Sequence, residues 1–200
     1  MYRIYYHHRR RSISPIFVKI IWENRFKNDR GADCLITVDG IDCRCPNYGP
    51  AFSSHKFAKK GGLRYEVGIC IQTGDIVWVN GPYPAGRMND IKIFRHCLKS
   101  FLGVGERCEA DDGYLGEAPQ CIKCPKSFTN PEITLPMQQR VRNRQETGNK
   151  RFKDFSALQQ LFRHDITLHA DVFRVAVIMT QLKINSGEEL FQCGYRDPPY

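Results

Sequence analysis

The chain has 200 residues, 42% of them hydrophobic and 26% charged, which suits one globular domain with its own core and excludes a disordered chain. The longest apolar run, residues 175–179, is far below the roughly 20 residues of a membrane span, and no apolar segment of signal-peptide type opens the chain. A net charge of +9 favours a polyanionic partner, and nine cysteines at irregular spacing point to reduced thiols inside a cell.

In chain order, residues 1–16 read as a basic, disordered arm. Arg9, Arg10 and Arg11 beside His7 and His8 suit a nuclear address or a phosphate-contacting arm. Because the first acid is Glu23, a mitochondrial presequence and a merely frayed terminus stay open as well. Apolar spacing predicts a short helix over 17–26. The β-rich stretch 34–39 predicts a buried strand that stops at Gly40. Residues 47–62 read as a loop carrying Lys56, Lys59 and Lys60. Residues 63–70 and 76–80, joined by Thr73-Gly74-Asp75, predict a β-hairpin, after which Pro82, Pro84 and Gly86 break the chain.

Asn89 and Asp90 open a helix with Ile91, Ile93, Phe94, Cys97, Leu98 and Phe101 on one face, Asp90 serving as cap or first-turn acid. A short strand over 107–111 and a loop over 113–136 follow. Residues 140–162 predict one long helix in which Gly148 is a local weakness. A second helix over 171–183 has Val172, Val175, Ile178, Met179 and Leu182 as its apolar stripe, and 196–200 reads as an irregular tail. Strand, hairpin, helix, strand and long helices in that order predict an α/β fold: a mixed sheet flanked by helices, arranged as in ribonuclease H, though the pattern alone leaves other α/β folds open. The domain is expected to span 17–195.

Cutting a phosphodiester without a covalent intermediate requires an activated water and a shielded leaving oxygen. Two Mg²⁺ or Mn²⁺ ions supply both, and they want carboxylate oxygens brought together from separate elements. Asp39 and Asp111 sit at strand ends. Glu146 lies on a helix face shared with Arg142, Lys150 and Lys153, an arrangement that taken alone suits a solvated face with ion pairs better than a metal ligand. Asp42 is the rival of Asp39, although three residues further along a strand it would face the other way, and Asp112 is the rival of Asp111. Cys121 and Cys124 form a CxxC without a second pair at zinc-finger spacing, while Cys43 and Cys45 suit same-face strand positions.

Several segments occur together in a characteristic order: Ile36-Thr37-Val38-Asp39-Gly40, Ser54-His55-Lys56-Phe57, Leu63-Arg64-Tyr65-Glu66-Val67, Gly74-Asp75-Ile76-Val77-Trp78, Gly81 to Gly86, Asn89-Asp90, Ala110 to Tyr114, and Arg142 to Lys153. They resemble the DDE endonuclease domain of PIF/Harbinger-type transposases, over about residues 17–195. The resemblance implies Asp39 for the aspartate of D-G-T, Asp111 for that of D-x-G-Y, and Glu146 for the glutamate of R-x3-E-x6-K, with Arg142 and Lys153 completing that helix motif. It implies Asp90 as a further metal ligand, a role weighed against that of a helix cap. Ile41 replaces the usual threonine and Gln139 the tyrosine of bacterial relatives.

The function implied is metal-dependent cleavage and strand transfer on DNA. Asp39, Asp111 and Glu146 would be catalytic, Asp39, Asp90, Asp111 and Glu146 would hold Mg²⁺ or Mn²⁺, and Arg142, Lys150 and Lys153 would meet phosphates. A nuclear location, a separate DNA-binding protein and a homo-oligomer are expected with it, and no membrane. The competing readings are a domesticated, inactive fragment that binds DNA or protein, and a cysteine-dependent zinc module.

Overall fold

Gly40 does not stop the first strand. In the computed structural model, which describes residues 20–29, 31–32, 34–127 and 131–195 (side chains from 136 in the last run), β1 runs from Cys34 to Arg44. The expected arm over 1–16 and tail over 196–200 lie outside the described residues. Asp39 is therefore a mid-strand residue. The strand continues because Gly40 through Arg44 pair in unbroken antiparallel register with Glu66 through Gly62 of β2 (Gly62–Cys70).

The expected hairpin is present: β2 turns into β3 (Ile76–Pro84), which pairs antiparallel with it. Pro82 and Pro84 lie within β3 rather than ending it, and β3 is the edge strand, where a missing N–H costs no ladder bond. On the far side of β1, β4 (Arg107–Glu109) and then β5 (Ile122–Lys123) add in parallel. The result is a five-stranded mixed sheet in the order β3-β2-β1-β4-β5, flanked by helices, the ribonuclease H-like arrangement expected of the element order.

The helices depart from expectation in informative ways. The segment 17–26 contributes a 3₁₀ turn at Trp22–Phe26, its first three residues lying outside the described part. Helix α1 (Asp90–His96) is capped by Asn89, whose side chain accepts from the Lys92 N–H, so Asp90 is its first residue and not its cap. The long helix α2 begins at Pro131 and ends at Lys153, nine residues earlier at each end than expected; a separate short helix α3 (Ser156–Gln159) follows. Proline at a first helical position sacrifices no hydrogen bond, which is why Pro131 starts the helix instead of excluding it.

Helix α4 (His169–Asn185) buries Phe173, Ala176, Val177, Thr180 and Ile184, while Val175 and Met179 of the expected stripe are 57% and 42% exposed. The expected face was wrong because the buried one is built from small, aromatic and polar residues. Phe173 stacks on Tyr65 with ring centroids 3.7 Å apart, and Gln181 donates to Asp75 and accepts from the Ile76 N–H.

Helices α2 and α4 cover one face of the sheet, bringing Phe152 and Val177 into one core with Ile41, Tyr65 and Val67. Helix α1 lies on the other, over Ile36, Val38, Trp78 and Tyr114. Gly148 lets α2 lie close: a Cβ there would stand 2.5 Å from Ile69 Cδ1. One turn earlier, fully buried Arg144 donates to the carbonyls of Cys70, 3.0 Å away, and Ile71 at the end of β2. No disulfide joins any of the nine cysteines, and only Cys121 is not buried.

Candidate active site at the carboxylates of the central strand

Side chains alternate across a strand, so neighbouring residues of β1 address opposite layers. Asp39 meets α2, where Asn149 Nδ2 donates to its Oδ2 at 2.8 Å, and its Oδ1 accepts from the Gly40 N–H at 2.7 Å. Gly40 faces the other way and leaves room for Asp90: a Cβ at Gly40 would overlap the Asp90 carboxylate. Asp111 follows β4 and caps the 3₁₀ turn Asp112–Glu117 by accepting from the Gly113 N–H at 2.9 Å. A Cβ on Gly113 would stand 2.8 Å from Asp111 Oδ1 and 3.7 Å from Asp90 Oδ2, so these two acids flank one glycine.

The acids sense one another. Burial, and then the charges of Asp111 and Asp90, push the Asp39 carboxyl up to about 6 against the pull of Lys56. Burial also raises Asp90, opposed by Arg64 and Lys56. Asp90 Oδ1 is buried 3.4 Å from Arg64 Nη1, yet takes no hydrogen bond.

The rivals are committed elsewhere. Asp42 accepts from Arg64 Nε at 2.6 Å and Ser54 Oγ at 2.5 Å. Burial alone would raise its carboxyl, but these bonds hold it below the usual range. Asp112 accepts from the Lys126 N–H at 3.1 Å and pairs with the Lys126 ammonium at 3.7 Å.

Glu146, exposed on α2, faces the same cleft of about 240 Å³ as Asp39, together with Asn149, Lys56, Lys150 and Lys153. Asp39 thus shares the cleft with Glu146, Lys150 and Lys153, while Asp90 and Asp111 flank Gly113 outside its lining and reach Asp39 through their charge. Half-buried Arg142 is not part of the cleft lining. A larger cleft of about 990 Å³, lined by Gln72, Thr73, Asp75 and Glu189, involves none of these acids.

Three contributors escaped the sequence reading. Asn149 lies three residues after Glu146 and so on the same helix face, a spacing that could have exposed it. Arg64 stands opposite Asp42 in the strand register, which becomes visible only once pairing is known. Tyr114 is fully buried behind the acids and packs edge-on against Phe94, centroids 5.9 Å apart.

Carboxylate oxygens, one of them buried without a hydrogen bond, are the donor set a hard divalent cation prefers. Among the described residues, no three His, Cys, Asp or Glu side chains stand close enough to hold a metal ion as placed, so binding one requires the carboxylates to close inward. The same holds for Cys121 and Cys124, which join no such group. No family model, curated protein or solved structure matches the chain.

Proposed function

We propose that this chain is the catalytic core of a DDE-type, transposase-derived nuclease that cuts phosphodiester bonds of DNA. The observation that carries the reading is the origin of the acids: Asp39 from the central strand, Asp111 directly after the adjacent parallel strand, and Glu146 from the helix lying over them. Asp39, Asp111 and Glu146, with Asp90 as fourth, would hold Mg²⁺ or Mn²⁺. When bound, such ions supply an activated water and shield the leaving oxygen.

The remaining work belongs to the chain itself. Lys56, Lys150 and Lys153 neutralise phosphate oxygens along the cleft and align the backbone with the acids. Asn149 fixes the Asp39 carboxylate by donating to it. Arg64 keeps Asp42 engaged and leans towards Asp90. A DNA partner, a nuclear location, a separate DNA-reading protein and self-association belong to the same proposal.

Asp39→Asn and Glu146→Gln should each reduce Mg²⁺-dependent nicking of supercoiled plasmid by more than the roughly 10–100-fold typical of losing an outer-shell group. Circular dichroism should stay unchanged. Undiminished nicking by both variants would end the nuclease reading. A second reading, a DNA-binding module that no longer cuts, is favoured by one feature: both Asp39 oxygens already accept hydrogen bonds. Calorimetric titration with Mn²⁺ separates the two, since the nuclease predicts binding that Asp39→Asn abolishes and the module predicts none.

A further inference from the structure

Residues 46–61 form a braced platform beside the acids. Ser54 Oγ donates to Asp42, Ser54 N–H donates to Lys60 O at 2.9 Å, and Cys45 N–H donates to Gly61 O at 3.1 Å. Gly86 and Arg87 N–H groups both donate to Ala51 O, and a Cβ at Gly86 would stand 2.6 Å from Pro50 O. The segment is thereby tied to both β1 and the end of β3.

Two kinds of side chain project from it. Lys56 reaches the floor of the acid cleft, Nζ donating to Gly40 O at 2.7 Å, while Lys59 and Lys60 are exposed. Tyr48 is 51% exposed and meets Phe52 edge-on, centroids 5.4 Å apart; Phe52 packs in turn against the core. An exposed aromatic ring on a core-anchored aromatic, on the same tied segment as Lys56, Lys59 and Lys60, is the composition of a surface that stacks unpaired bases while tracking their phosphates.

We propose that Tyr48 stacks on an unpaired base of the DNA strand whose backbone passes Lys56, so that the protein prefers an opened strand next to the cut. This rests on the nuclease reading for its substrate, but not on cutting itself. An open strand beside the acids exposes the phosphodiester to attack from a direction that an intact duplex obstructs.

Binding is measured by fluorescence anisotropy in a chelator, so that cleavage plays no part, using a labelled oligothymidylate of about 15 nucleotides and a duplex of the same length. Tyr48→Ala should weaken the oligothymidylate about tenfold, the loss of one stacked base, and the duplex less than about twofold. Tyr48→Trp should restore it, and Lys60→Ala should weaken both ligands alike. Equal effects of Tyr48→Ala on both ligands, or none on either, overturn the stacking role while leaving DNA binding intact. Failure of the unaltered protein to bind either DNA overturns the proposed function as well.

Discussion

At the residue scale, the most constrained position beside the acids carries no side chain. Gly40 follows Asp39 because the Asp90 carboxylate occupies the space its Cβ would need. Gly40→Ala should displace Asp90 and lower nicking at least about tenfold, the cost of disturbing a group that supports a metal site, with the sheet intact by circular dichroism. Unchanged activity would remove Asp90 from the site. Glu66 lies fully buried across from Gly40, with Trp78 Nε1 donating to its Oε2 at 2.9 Å and Oε1 without a partner. Burial, reinforced by the Asp90 charge, pushes it up to about 8 from an ordinary 4.5. The folded state therefore keeps a proton that the unfolded chain releases. The stability that this proton contributes is complete below about pH 4.5 and is lost as pH rises through about 8. Glu66→Gln should match the native protein in acid and become more stable than it by up to about 1.4 kcal/mol per pH unit across that window. Melting curves recorded against pH test this, and a pH-independent difference would sink it. The pairing of Arg64 with Asp42 was hidden from sequence for a plain reason: it depends on which residues of two strands stand opposite each other.

At the element scale, alternation and turn chemistry made the hairpin of β2 and β3 legible, because both signals are local. The two-residue strand β5 left no periodic trace, since its pairing with β4 is the whole of its identity. Helix α4 misled for a different reason. Bulk aliphatic character marked the outward face, whereas Ala176, Thr180 and Gln181 fit the close inward contact. Helix α2 carries the corresponding prediction. Gly148→Ala gains about 1 kcal/mol of intrinsic helix preference, yet its methyl would press on Ile69, which is wholly buried and has nowhere to turn. Overpacking costs about 1–3 kcal/mol, so the net result should be a loss of about 1 kcal/mol in urea unfolding. A more stable variant would mean that α2 sits farther from β2 than described. Because Gly148 lies between Glu146 and Asn149, the same substitution tilts the cleft and should weaken nicking beyond its effect on stability.

At the scale of the whole molecule, the charge of +9 is spent partly in one direction, along the cleft where Lys56, Lys150 and Lys153 accompany the acids. Each lysine that meets a phosphate releases about 0.9 of a counterion, so Lys150→Ala and Lys153→Ala should each flatten the salt dependence of duplex binding by about that amount. An unchanged slope would place the DNA elsewhere. The nine thiols offer another view of the same body. Burial pushes Cys34 and Cys43 up to about 12, leaving scarcely any thiolate, and Cys108 is fully buried on the neighbouring strand β4. An alkylating reagent should therefore find Cys121 at once and reach the other eight only when the domain opens. The cysteines are in effect a chemical clock built into the layers, whose labelling times, read by mass spectrometry, rank the parts of the fold by how often each comes apart.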